Sequence, residues 1–293
     1  MTHLASCSIA ARSADLDHAM HTMLDDLSGR TPWPAFERRV EEARRRLAAL
    51  IGADADQIAL VPNVSTTAHQ AASALSFRRR REVVVARAEF PGVAQALAAH
   101  RRRGAWLYWI GAPGRLLTPL EFLDGIGHRT ALVSIPAVTY QNGQRLPIAE
   151  ITAAARTAGA TARRWETGTP PIPAIYAAVA GLRIIDDLNV ADVRRHVTSL
   201  VDLAARQLAV HGERLRLAAD DRARSAHLAV VDPEPQRLAD GLATRRILIA
   251  PRGDIARIAF HAFNTGDDVA HVCALIRQYR RAIRPRQPRG GPA

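Results

Sequence analysis

Apolar residues recur at Val40, Ala43, Leu47, Leu50 and Ile51 through "PAFERRVEEARRRLAALIGAD", with arginines and glutamates on the other face. That spacing predicts an amphipathic helix, and Gly52 supplies its stop. The pattern then changes to short continuous apolar runs: "IALVP" (58–62), "EVVVARA" (82–88), "AWLYWI" (105–110) and "ALVSIP" (131–136). Helical stretches at about 65–75, 91–103 and 118–126 separate them. Strands that alternate with helices and are apolar on both faces predict an α/β domain, a largely parallel sheet covered by helices.

The alternation stops after the turn "TYQNGQRLP" and the helix "IAEITAAARTAGA", which Gly159 closes. A right-handed crossover should next deliver a parallel strand. Instead the chain passes through "TARRWETGTPP" into "AIYAAVAGLRIIDDL" and a long amphipathic helix with Val193, Val197, Leu200, Val201, Ala204 and Leu208 on one face. Strand character returns at "AHLAVVD" (226–232), followed by the helix "PQRLADGLATRR", the strands "ILIAP" and "IARIAFHAF", and a final helix. We therefore expect an N-terminal segment at 1–35, an α/β domain at 36–185 with a seam near 160–161, a small α+β domain at 186–284, and a disordered Pro/Gly/Arg tail at 285–293.

Composition changes little in this picture. With 293 residues and 48% hydrophobic content the chain can bury a sizeable core. No apolar run reaches the roughly 18 residues of a membrane span, and the N-terminus lacks a signal-peptide pattern, so a cytoplasmic home is expected. Cys7 and Cys273 stand far apart in no metal-spaced motif, so neither a disulfide nor a metal site is expected. The formal charge of +12 comes from 40 basic residues, all of them arginine. They are mostly dispersed along the chain, which makes nucleic acid an unlikely partner by composition and points to coding bias.

Several strand-to-helix junctions carry candidate chemistry. In "LVPNVSTTAHQ", Asn63, Ser65, Thr66 and Thr67 sit where free N–H groups and hydroxyls can cap a helix or cup an anion. "RAEFPGV" places Glu89 and Phe90 at a strand end, where an aromatic can stack on a planar ring or pack in the core. "AVTYQNGQRLP" offers Tyr140, Gln141 and Asn142 around an Asn-Gly turn. Arg257, in "ARIAFHAF", can hold a carboxylate by a bidentate pair or form an ordinary ion pair.

In their order, these segments resemble the class V aminotransferase family of pyridoxal phosphate (PLP) enzymes, in particular its cysteine desulfurase, kynureninase and isopenicillin N epimerase-like branch. The resemblance runs from "HLASCSIAARS" through "EEARRRLAALIGADADQIALVPNVSTTA", "EFP", "LVSIPAVTYQNGQRLPI" and "RRWETGTPPIPAIYAAVAGL" to "ARIAFHAFNTGDDV". It implies a fold type I PLP-transferase large domain, here incomplete, with a small C-terminal domain, and PLP as cofactor. It further implies that Ser65, Thr66 and Thr67 match the phosphate loop, Phe90 the residue stacked on the pyridine, and Tyr140 the position near the 3-hydroxyl. Thr169 matches the threonine that reaches the neighbouring subunit's phosphate, and Arg257 the arginine for the substrate α-carboxylate.

Family members continue after a segment like "ARTAGA" with a strand carrying the aspartate that pairs with the pyridine nitrogen, and later the lysine of the Schiff base. Here "TAGA" runs directly into "TARRWETGTP", a gap on the order of 80 to 90 residues against typical domain sizes. Without any lysine the chain can neither attach PLP covalently nor supply the lysine base, and arginine cannot substitute because its guanidinium stays protonated and non-nucleophilic near neutral pH. The expectation is a PLP-type protein of amino-acid transamination, desulfurase or lyase ancestry that is inactive alone. Its alternatives are a non-catalytic partner of an intact paralogue in a homodimer or heterodimer, and a non-covalent binder of PLP or another phosphate ligand.

Overall fold

The structure is a computed structural model that describes residues 1–29, 31–112, 114–155 and 171–283. The seam at 160–161, Thr169 and the tail at 285–293 lie outside the described residues. In chain order the elements begin with β1 (Thr2–His3), α1 (Ala14–Ser28), α2 (Trp33–Ile51), α3 (Val64–Ser73), β2 (Glu82–Ala86) and α4 (Pro91–Ala98). Next come β3 (Trp106–Ile110), α5 (Pro119–Gly125), β4 (Thr130–Ser134), α6 (Ile148–Ala155), α7 (Ile172–Asp186) and α8 (Val190–Val210). The chain closes with β5 (Leu215–Arg216), β6 (His227–Val231), α9 (Pro235–Ala243), β7 (Ile247–Leu248), β8 (Ala250–Arg252), β9 (Ile255–Ala259) and α10 (Gly266–Ile283).

By their contacts these residues divide into two units. One comprises Arg12–Thr139 and Leu146–Val190; the other comprises Met1–Ala11, Tyr140–Arg145 and Ala191–Ala293. The division takes the first eleven residues and the six-residue loop at 140–145 out of sequence order.

The first, the α/β unit, holds a parallel sheet in the order β3-β2-β4. After Glu82, central β2 is apolar because both faces are covered: Val83 and Val85 pack toward α3 and α4, while Val84 and Ala86 pack toward Phe122, Leu146 and Ile151. A third cluster, Ala43, Ile175 and Val179, joins α2 to α7. Helix α1 contributes no fully buried residue; it starts on the Ser13 hydroxyl, which accepts from the Leu16 N–H, with Asp15 and Asp17 in its first turn.

One expectation fails in this unit. "IALVP" at 58–62 forms no strand. The three-stranded sheet offers it no ladder partner among the described residues, so its backbone is held from the helices: Arg44 donates to the Ile58 carbonyl, and Leu60 packs on the α2–α7 cluster.

The second, the α+β unit, has an antiparallel sheet in the order β5-β6-β9-β8, while β1 pairs in parallel with β7. Helices α8, α9 and α10 pack their apolar stripes on that sheet, so that Leu200, Leu208, Leu238, Leu242, Val272 and Ile276 close one continuous core around Leu228, Ile258 and Phe260.

Candidate functional site

The chemistry-bearing residues of the α/β unit collect at the C-terminal ends of its strands. Asn63 caps α3: its side-chain oxygen accepts from the Thr66 N–H at 2.9 Å and the Thr66 hydroxyl at 3.1 Å, while its carbonyl accepts from the Thr67 hydroxyl at 3.3 Å. Those bonds engage the donors of Thr66 and Thr67. The Ser65 hydroxyl makes no hydrogen bond among the described residues, and it points toward the start of α4: a Cβ built on Gly92 would meet it at 2.6 Å. Phe90 lies beside the same point, its ring 3.7 Å from that Cβ position. Glycine at 92 is therefore what lets the first turns of α3 and α4 approach closely.

Phe90 is 44% exposed, although it lies just past a strand whose last four residues are buried. Its neighbour Glu89 is buried and braces the junction, accepting from the Phe90 N–H at 2.8 Å and from the Ser134 hydroxyl at 2.9 Å. The carboxylate thus ties the end of β2 to the end of β4 and leaves the Phe90 ring outward.

Tyr140 and Arg257 come together in the α+β unit. Arg257, on β9 and only 5% exposed, donates from Nη1 to the Tyr140 carbonyl at 2.9 Å and from Nε to the Ala250 carbonyl at 3.3 Å. The Tyr140 hydroxyl accepts from the Gln141 amide at 3.2 Å, and the Arg252 guanidinium sits 5.5 Å from the Tyr140 ring centroid. Gly143, at φ +69°, lets this loop press on β6, since a Cβ there would meet the His227 carbonyl at 2.6 Å.

Electrostatically, burial pushes the His227 imidazole down to about 4, and the nearby Arg257 adds to that. Burial raises the Cys7 thiol while Arg257 opposes it. His227 is thus a neutral ring, and its Nε2 is buried without a hydrogen-bond partner among the described residues.

Sequence reasoning singled out Ser65, Thr66, Thr67 and Phe90, which the fold gathers on one unit, and Tyr140 and Arg257, which it gathers on the other. It missed Gly92, Ser134, Arg252 and His227. Only Gly92, after Pro91 at a strand end, carried a local signal. Among the described residues no group of three or more His, Cys, Asp or Glu is placed to hold a metal ion, and no helix is long and apolar enough to cross a membrane.

Residues 28–163 and 160–272 match the family model "Aminotransferase class-V". The chain belongs to the class-V aminotransferases. An uncharacterized aminotransferase of Bacillus subtilis, YcbU, is 25% identical over 347 residues, covering 92% of each chain. The apo cysteine desulfurase of Thermococcus onnurineus superposes with a TM-score of 0.84 at 14% identity, covering 96% of this chain and 95% of the other. A cystine C-S lyase in complex with cysteine persulfide gives 0.82 at 16%, covering 94% and 97%. A lysine variant of that lyase carries glycine covalently linked to its PLP cofactor. This class-V aminotransferase therefore has the cysteine desulfurase-like fold, and family resemblance gives PLP as its cofactor.

The residues present fit that cofactor at two of its ends. The Ser65 hydroxyl at the start of the capped helix α3 suits a phosphate, and the half-exposed Phe90 ring suits a planar heterocycle. They do not fit its covalent attachment, since the sequence contains no lysine.

Proposed function

We propose that this class-V aminotransferase holds PLP without a covalent bond at the α3–α4 end of its α/β unit and is catalytically silent on its own. The observation that carries the reading is the pairing of an open Phe90 and Ser65 with a sequence that lacks lysine altogether. When bound, PLP supplies an electron-withdrawing ring able to stabilise charge next to an amino group. The Ser65 hydroxyl and the Val64 and Ser65 N–H groups of α3 receive the phosphate, with Thr66 and Thr67 bonded to Asn63 and keeping the turn capped. Phe90 orients the ring. Arg257, its plane fixed by two carbonyls, offers its remaining N–H fork to an amino-acid carboxylate, and Tyr140 stands beside it. No arginine can replace the lysine base, because a guanidinium does not give up its proton near neutral pH.

Two features of the comparisons support the missing middle. The family match comes in two stretches that meet at 160–163. The alignment to the Bacillus subtilis relative spans 347 positions, whereas 92% of 293 residues is about 270, so that relative has on the order of 75 positions with no counterpart here.

The test combines PLP titration, dialysis and borohydride reduction with an assay for sulfur release from L-cysteine. We expect saturable PLP binding that dialyses away, no phosphopyridoxyl group on an internal residue after reduction, and no sulfur release. Turnover by the purified chain without an added partner defeats the proposal.

A second reading is favoured by β4. It pairs with β2 alone among the described residues, and every one of its residues is half-exposed, whereas β2 is almost wholly buried. An edge of that kind suits association with another chain, such as an intact relative in a dimer to which Thr169 would contribute. Recovery of the chain alone from its native host, in a tagged pull-down, speaks against it.

A further inference from the structure

The arginines that look dispersed along the sequence are gathered by the fold at one end of the α/β sheet. Because β2, β3 and β4 are parallel, the segments that lead into them converge on the sheet's N-terminal edge, opposite the strand ends that carry Phe90. Arg78 to Arg81 lead into β2, Arg101 to Arg103 into β3, and His128 and Arg129 into β4. Backbone bonds join the three segments: the Trp106 N–H donates to the Arg81 carbonyl at 2.7 Å, and the Glu82 N–H donates to the Arg129 carbonyl at 3.0 Å.

All eight arginines are exposed, and the single acid within these segments, Glu82, is paired with Arg129 at 2.7 Å. Arg103 is bound to the end of α3 through the carbonyls of Ala72, Ser73 and Leu75. Arg78, Arg79, Arg80, Arg101 and Arg102 make no ion pair or hydrogen bond among the described residues, so their charge is uncompensated locally.

An aromatic platform lies within this rim. Trp106 is 51% exposed and Tyr108 47% exposed, on the same face of edge strand β3. The guanidiniums of Arg81 and Arg129 sit 5.5 and 5.9 Å from the Trp106 ring centroid. About half of each ring still faces solvent, with Gly125 at the end of α5 lying against Tyr108 and Ile110. Residues two apart on a strand are separated by about 6.6 Å, enough for two flat rings to take two splayed bases while flanking guanidiniums take phosphates.

We propose that this rim binds single-stranded nucleic acid, with Trp106 and Tyr108 as stacking surfaces and the Arg78–Arg80 and Arg101–Arg102 groups as phosphate contacts. Charge complementarity favours any polyanion. The paired exposed aromatics favour one that carries planar bases over a phospholipid surface. The inference is independent of PLP binding, which it places at the other end of the strands.

The test uses the full-length chain and fluorescence anisotropy with labelled 20-mers of thymidylate and uridylate, alongside phosphatidylserine vesicles. With about five phosphates neutralised, affinity should fall about 100-fold between roughly 50 and 200 mM salt. Replacing Arg78, Arg79 and Arg80 by Gln should flatten the log–log salt slope by about 2. Trp106→Ala should weaken binding about fivefold or more at unchanged slope, and Trp106→Phe should restore much of it. Circular dichroism of each variant confirms that its fold is retained. No binding at low salt overturns the proposal. So does an unchanged slope in the triple arginine variant, no loss with Trp106→Ala, or binding to vesicles without binding to the oligonucleotides.

Discussion

The two units solve the burial problem differently. In the α+β unit one continuous core runs under the sheet, and β6 and β9 are buried almost end to end between their neighbours and the helices. In the α/β unit the buried residues fall into three separate clusters, and β4 stays half-exposed along its whole length. A four-stranded antiparallel sheet with three helices is sufficient to close its own core. A three-stranded parallel sheet is not, because parallel strands need cover on both faces and neighbours on both sides. The contrast locates the structural weakness of this protein in the half that carries Phe90 and Ser65.

The sharpest way to break that contrast is to delete matched core side chains. Phe260 and Phe122 are both essentially inaccessible. Phe260→Ala should cost about 3–5 kcal/mol, the full range for a buried aromatic, because its surroundings are packed on all sides and relax little. Phe122→Ala should sit at or below about 3 kcal/mol, since the smaller cluster around it can collapse. Urea unfolding followed by tryptophan fluorescence reports the α/β unit, where Trp33, Trp106 and Trp109, the tryptophans among the described residues, lie, and far-ultraviolet circular dichroism reports both. Equal losses at the two sites refute the idea that the cores differ in closure.

Acid separates the units by pH window. His227 in the α+β unit has its pKa depressed from 6.5 to about 4, by burial and then by Arg257. A base held neutral in the fold contributes stability that is present above pH 6.5 and lost as pH falls toward 4. The loss should reach about 3 kcal/mol, and His227→Phe should remove it from the pH profile of that unit.

In the α/β unit the responsive group is Glu42. Burial works to raise its pKa, but hydrogen bonds from Arg183, Arg46 and Arg39 outweigh that and hold it at about 2. Its stabilisation is present above pH 4.5 and lost as pH falls through 2, so this unit should yield later in an acid titration. After allowance for the partly exposed arginines the effect is about 2 kcal/mol, and Glu42→Gln should abolish it. A single common acid transition in both variants means the units do not unfold separately.

How much of this was legible beforehand follows from the range of the signals. Strands β2, β3 and β4 were readable as short apolar runs, although only β2 is buried on both faces: β3 shows Trp106 and Tyr108 to solvent and β4 is half-exposed. The run at 58–62 has the same composition, yet a strand also requires a neighbour, and neighbours are not written locally. Helix α1 was missed although its Ser13 cap and the partly buried Leu16, Met20 and Met23 are local signals; none of its residues is fully buried. At the site, the individual residues were visible at strand ends. Their assembly was not: the approach of Ser65 to Gly92, the Glu89 bridge to Ser134, and the contact of Arg257 with Tyr140 each join positions tens of residues or more apart. The arginine rim is the same lesson in charge, since a parallel sheet brings together the starts of segments that the sequence spreads over 50 residues.

The smallest effect separates a helix cap from a ligand cup. Asn63 satisfies the Thr66 N–H, and its loss should cost about 1 kcal/mol wherever the helix is needed. Ser65 makes no such bond, so Ser65→Ala should leave the urea midpoint within about 0.5 kcal/mol of the parent. The two variants should therefore rank in opposite orders in two measurements. Asn63→Ala lowers stability more, while Ser65→Ala weakens PLP more, by about five- to tenfold for one lost hydrogen bond to a charged phosphate. If both variants lose stability and PLP affinity in proportion, the turn is only a cap, and the weakness of the α/β unit then extends to the surface that carries Ser65 and Phe90.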